Sequence, residues 1–144
     1  MNLAMALQHY RAKSYLLRKK KALPAFSDPE SYEQEEKKDF HSRNLICKVC
    51  SGKVTSKKDQ FTKNGCDEHG FFNPHGIAFV LGCFNRAPGC VISGDPSTEF
   101  SWFKGYTWSF AMCVHCREHL GWFFQGRDGD SFFGLILLKL REDA

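Results

Sequence analysis

No stretch of the sequence approaches the roughly 18 consecutive apolar residues that a bilayer-spanning helix requires, so a transmembrane helix is excluded and a soluble chain is expected. Strong charge of one sign is missing too: the formal net charge is +4, too mild to imply a nucleic-acid role. Acidic residues are absent before Asp28, although Arg11, Lys13, Arg18, Lys19, Lys20 and Lys21 all fall there. That basic opening has the charge of a mitochondrial transit peptide. However, Met1 to Phe26 contains a single serine, and its longest apolar run, Leu3 to Leu7, is too short for a secretory signal. A cytoplasmic location is therefore expected, with mitochondrial import as the alternative. An even cysteine count is also lacking: there are seven, four of them in two C-x-x-C pairs, which argues for metal in a reducing compartment rather than a secreted disulfide framework.

A chain of 144 residues can bury one modest core, and the composition divides near His41. Residues 1–43 are expected to form a basic and then acidic arm. Within it Leu3, Leu7, Tyr10, Tyr15 and Leu17 suit a short amphipathic helix ended by Lys19 to Lys21 and Pro24, and Ser27 to Asp39 is an acid-rich linker. Residues 44–144 are expected to form the folded domain. From Leu45 onward helical periodicity is weak, and short apolar runs such as Ile77 to Leu81 and Trp122 to Phe124 alternate with Gly, Asn-Pro, Asp-Pro and Asp-Gly breaks, which indicates a mainly β domain. The continuous run Phe132 to Leu140 reads as a buried final strand or a short helix, between which periodicity alone does not decide, and the strand is favoured.

Cys47-Lys-Val-Cys50 and Cys113-Val-His-Cys116 each allow a tight turn to aim two sulfurs at one ion, and together they supply the four thiolates of a tetrahedral zinc site. Four protein ligands leave no open position for a metal-bound water, so one structural Zn²⁺ is expected. His115 could replace a cysteine, but geometry favours Cys116. Cys66, Cys83 and Cys90 read as small buried hydrophobes.

All three tryptophans, Trp102, Trp108 and Trp122, flank the second C-x-x-C pair. Such indoles are either core or the walls of a cage. The Lys104-Gly105 break between Trp102 and Trp108 points to a loop that presents aromatics to a concave site.

The run Pro96 to Trp108, Cys113-x-x-Cys116, His119-Leu-Gly-Trp122 and the upstream Asn73-Pro-His-Gly76 resemble the CULT domain, the thalidomide-binding domain of cereblon that also occurs as a stand-alone protein in bacteria. The resemblance spans about Leu45 to Leu140. It implies a β-tent of two antiparallel sheets pinned by Cys₄ zinc, with Trp102, Trp108 and Trp122 as cage walls, Phe124 closing the cage and Asn73 at its rim. Main-chain groups around Phe100 and Trp102 would bond the imide edge of a ligand. Cereblon has histidine at the position of Phe100, a change compatible with a backbone contact but altering the rim. Implied ligands are cyclic imides of the glutarimide and thalidomide type, uracil-like rings and carboxy-terminal cyclic imides on proteins. A cyclic imide offers acceptor, donor and acceptor on one edge and methylenes on the other, which suits backbone groups and indole faces respectively.

The length leaves no room for cereblon's Lon-like domain and adaptor-binding helices. The expectation is a monomeric stand-alone receptor or sensor rather than an enzyme or a ubiquitin-ligase subunit, with no nucleic-acid or membrane partner. Two alternatives remain. One is a methylammonium-binding cage with Glu99 as counter-charge. The other is a thiol enzyme like methionine sulfoxide reductase B, in which Cys83 or Cys90 would have to be an exposed thiolate. His69, His75, His115 and His119 lie around the site region without forming a recognisable triad, and Asp95 and Glu99 lack a partner that would separate their pKa values.

Overall fold

A computed structural model describes residues 43–143. The expected amino-terminal helix, the acid-rich linker and the boundary near His41 lie outside the described residues. The structure is built from antiparallel strands and two single 3₁₀ turns, Lys57–Asp59 and Leu137–Lys139. A small sheet holds β1 (Asn44–Cys47), β2 (Lys53–Ser56) and β10 (Leu140–Glu142), with β1 in the middle. A larger sheet contains β3 (Gln60–Phe61), β4 (Glu68–Phe72), β5 (Ala78–Phe84), β6 (Cys90–Ser97), β7 (Tyr106–Cys113), β8 (His119–Gly126) and β9 (Ser131–Ile136). Its order runs β3-β5-β9-β8-β7-β6, and β4 pairs with β5 beside β3.

Both faces of the large sheet are covered, which is why its inner strands read as nearly unbroken apolar runs instead of alternating ones. Against one face the small sheet packs Leu45, Cys47, Val54 and Leu140 onto Phe84, Ala111, Cys113, Leu120 and Leu135. The other face carries an aromatic cluster of Phe71, Leu81, Trp122, Phe124, Phe132 and Ile136, capped by Phe103 from the β6–β7 loop. Each large side chain buried this way contributes about 1.5–3 kcal/mol relative to leaving it in water.

The expected single strand from Phe132 to Leu140 needs correction. β9 stops at Ile136, Leu137–Lys139 make a 3₁₀ turn, and Leu140 begins β10 in the other sheet. The run is apolar up to Lys139 because it crosses from one sheet to the other. The crossing leaves Leu138 75% exposed, while the Lys139 carbonyl accepts from the Lys48 amide at 3.0 Å.

Candidate functional site

The two C-x-x-C pairs form hairpin turns of one design. The first joins β1 to β2 and the second joins β7 to β8. In the first, Ser51 N–H donates to Cys47 O at 2.8 Å and Cys47 N–H to Gly52 O at 2.9 Å; in the second, Arg117 N–H donates to Cys113 O at 2.9 Å and Cys113 N–H to Glu118 O at 2.7 Å. Each hairpin turns the chain through a left-handed residue one place after its second cysteine, Ser51 at φ 63° and Arg117 at φ 67°. The hairpins belong to different sheets, so a group held between them fastens the sheets together at one end.

All four sulfurs lie within 4.8 Å of one another, with Cys47 to Cys116 at 3.7 Å and Cys50 to Cys113 at 3.6 Å. A tetrahedral ion with metal–sulfur bonds of about 2.3 Å sets its sulfurs roughly 3.8 Å apart, so the donor set fits zinc without rearrangement. Separations this long exclude disulfides, and the cysteines are free. The Glu118 amide favours a Cys116 thiolate, yet partial burial and the neighbouring thiols push that group up to about 12. Four thiolates this close repel one another unless a cation sits among them. His115 is outside this cluster; its ring packs over Gly52, where a Cβ would come within 2.2 Å of the His115 ring.

The tryptophans are arranged by strand register. Pairing of Trp108 with Phe124 and of Phe110 with Trp122 places all four side chains on one face of the large sheet. Trp122 is 9% exposed and meets Trp102 edge to face at 4.7 Å. Trp102 lies in the β6–β7 loop, as the Lys104-Gly105 break suggested, whereas Trp108 lies within β7. Trp102 stacks on Phe71 at 4.9 Å, and its indole N–H donates to the Phe72 carbonyl at 3.1 Å. The indole N–H of Trp108 donates to the Glu99 carbonyl at 2.7 Å, and its ring meets Phe110 at 5.3 Å. Both indoles remain half-buried.

Phe124 is 1% exposed on this face, 4.8 Å from Phe103 and 5.1 Å from Phe132, within the buried cluster against which Trp102 and Trp108 pack. Asn73 sits at the tip of the β4–β5 hairpin, next to the Phe72 carbonyl that Trp102 grips; its Oδ1 accepts from the amides of His75 at 3.0 Å and Ile77 at 2.9 Å. Phe100 is 58% exposed and left-handed at φ 53°, a strained setting for a side chain of this bulk.

Sequence reasoning missed Phe71 and Phe79, whose rings brace Trp102 and Trp122 from β4 and β5, and Phe103, which packs against Phe71 and Phe124 from the loop. It also missed the contact of His119 with Trp122, edge to face at 4.8 Å. His119 Nε2 lies 2.8 Å from the Gly121 carbonyl, and burial holds its imidazole below the ordinary value. His69 is buried between Phe71 and Phe103, whereas His75 is exposed at the hairpin tip. The available signal was the period-2 spacing of His69 and Phe71 along β4 and of Phe79, Leu81 and Cys83 along β5, hidden because Phe71 and Phe72 are adjacent.

Neither Cys83 nor Cys90 offers an exposed thiolate: burial raises both to about 12, and Cys83 has no exposed surface. This arrangement does not supply the nucleophile that the reductase alternative needs. Among the described residues, no helix is long and apolar enough to cross a membrane.

No family model matches the chain. Among curated proteins it is 37% identical over 98 residues to Protein cereblon of Gallus gallus, an alignment covering 64% of this chain and 22% of that protein. The corresponding protein of Xenopus tropicalis is 36% identical over 104 residues, covering 68% of this chain and 23% of the relative. That of Danio rerio is 35% identical over 98 residues, covering 64% and 23%. The chain thus spans less than a quarter of the length of these relatives. Among solved structures, the C-terminal domain of Dicer-related helicase 3 of Caenorhabditis elegans overlays with a TM-score of 0.49 at 14% identity, covering 72% of this chain and 56% of that one; an overlay that loose carries no argument.

Proposed function

The chain carries a cereblon-like CULT domain, and from that premise we propose that it is a zinc-stabilised receptor whose tryptophan face binds compact cyclic imides or uracil-like rings rather than catalysing a reaction. The observation that carries this reading is the state of two indoles. Trp102 and Trp108 are half-buried, yet each is fixed by an N–H bond to a main-chain carbonyl, at Phe72 and at Glu99. Indoles recruited only as core would be enclosed; indoles fixed while still partly open are pre-organised walls, and pre-organisation lowers the ordering cost of binding.

In this reading Trp102, Trp108 and Trp122 cover the methylenes of the ring, with Phe124 as the floor and Asn73 at the rim. Main-chain groups at Phe100 and Trp102 meet the polar edge. The left-handed turn at Phe100 supports the last assignment, because it sends the side chain outward and leaves the backbone of that residue for the ligand. Zinc on Cys47, Cys50, Cys113 and Cys116 fixes the β7–β8 hairpin that bears two of the walls; it touches no ligand. Residues 44–144 constitute the receptor domain and 1–43 an appended arm. Seven free thiols suit a reducing cytoplasm.

A tryptophan-fluorescence titration of metal-saturated protein with uracil, glutarimide and trimethyllysine tests the proposal. Saturable quenching by the two ring compounds, lost in Trp108→Ala, is the expected result. Quenching by trimethyllysine alone would instead select the methylammonium reading, and silence with all three would return the indoles to core packing.

A further inference from the structure

The loop that carries Trp102 has a second side. Behind it an open cleft of about 590 Å³ lies between the loop, the start of β7 and the end of β8, lined among others by Pro96, Thr98, Ser101, Lys104, Thr107 and Arg127. None of the tryptophans lines it, and neither does any carboxylate. The two cations reach it from separate elements. Lys104 stands at the end of the loop and Arg127 in the turn between β8 and β9. Both are exposed, and neither takes part in an ion pair or hydrogen bond among the described residues, where the pairs use Arg43, Lys57, Arg86 and Lys139 instead.

Two acids, Asp128 and Asp130, share the turn with Arg127. Asp130, three residues past Arg127, accepts from the Tyr106 hydroxyl, which in turn lies 3.1 Å from Lys63 Nζ. Asp128 is exposed and outside the lining. The cleft therefore combines two cations outside any ion pair with the hydroxyl of Thr98 and the amide of Gln125, donors that suit an oxyanion, while the hydroxyls of Ser101 and Thr107 donate to the Phe103 and Gln125 carbonyls at 3.1 and 3.3 Å. The guanidinium fork of Arg127 is matched to two oxygens of one carboxylate or phosphate, and Lys104 serves as a point charge opposite it. We propose that this cleft is a second binding site, distinct from the tryptophan face, for a small oxyanion bearing a carboxylate or phosphate group. An anion there would also tie the Trp102 loop to the β8–β9 turn.

The test uses ¹⁵N-labelled, metal-saturated full chain, titrated separately with sodium phosphate and sodium acetate at constant ionic strength. Expected are saturable amide shifts confined to Thr98, Ser101, Lys104, Gly105, Thr107 and Arg127 with at least one of the anions; which anion saturates assigns the oxyanion to phosphate, carboxylate or both. The double variant Lys104→Gln, Arg127→Gln, altered only at exposed positions and checked for an unchanged melting temperature, is expected to weaken the apparent Kd about tenfold or more. Trp108→Ala is expected to leave the titration intact, so a failed cage and a failed oxyanion site are read apart. Linear shifts spread over the surface with both anions, or equal saturation in the double variant, would overturn the proposal.

Discussion

Replacing Gly134 by alanine puts the packing beneath the tryptophan face to a quantitative test. Gly134 pairs with Trp122 on β8 and with Cys83 on β5. A Cβ built there comes 2.7 Å from Phe124 Cε2 and 3.2 Å from Leu81 Cδ1. Neither neighbour can yield easily. Leu81 has no exposed surface, and Phe124 is wedged between Phe103 at 4.8 Å and Phe132 at 5.1 Å. Overpacking of a tight core costs about 1–3 kcal/mol, while the reduced freedom of the unfolded chain returns about 0.4–1 kcal/mol. The net loss is then roughly 1–2 kcal/mol, which for a domain of this size lowers Tm by about 4–15 °C. Thermal and urea unfolding of metal-saturated Gly134→Ala reads this directly. Because Phe124 pairs with Trp108 and would be displaced toward that face, weaker quenching by uracil or glutarimide is expected as well. A variant that melts at or above the parent temperature would refute the account of a packed floor.

Gly89→Ala should be costlier, because its Cβ would lie 2.0 Å from the Lys53 carbonyl and 2.6 Å from Val54 Cα, backbone atoms that cannot swing aside; a melting temperature no lower than that of Gly134→Ala counts against this ranking. Removing the metal with a strong chelator, or changing Cys116→Ser, is expected to abolish cooperative unfolding, since zinc bound by four thiolates contributes on the order of 10 kcal/mol against a typical domain stability of similar size; a sharp transition surviving in chelator would show that the sheets hold without the pin. The buried His119 imidazole titrates below its ordinary 6.5, so the unfolded chain binds more protons just beneath that pH. Its contribution to stability is therefore complete above about 6.5 and is lost as pH falls through the window beneath it. His119→Phe should flatten that part of the stability–pH curve, and an unchanged slope would assign the dependence elsewhere. Cys83→Ser should leave the protein without any change in thiol-dependent turnover of methionine sulfoxide, which a parent activity lost in the variant would contradict.

The metal centre and the strand content were legible because they depend on short-range signals. Two cysteines three apart in a tight turn can meet one ion whatever the rest of the chain does, and Asn73-Pro74 and Asp128-Gly129 mark hairpin turns locally, whereas Gly70, Gly82, Gly121, Gly134 and the expected break at Asp95-Pro96 fall inside strands. The aromatic site was legible only in part. Trp102, Trp108 and Trp122 stood out as rare residues, but Phe71 and Phe79, which brace Trp102 and Trp122, come from β4 and β5, which sequence alone does not bring to that loop and to β8. Phe103 shows the difficulty well: it follows Trp102 in a polar, glycine-containing loop, yet it is 4% exposed and touches His69, Phe71, Phe124 and Phe132. Nothing in its neighbours' polarity distinguishes that plug from the exposed Phe100 three positions earlier, since a loop has no fixed period to assign its side chains to faces. The same residue explains why the loop can hold Trp102 in place. Phe103 anchors it to the core from below and the Phe72 carbonyl grips the indole from the side, while Phe100 stays exposed on a strained backbone.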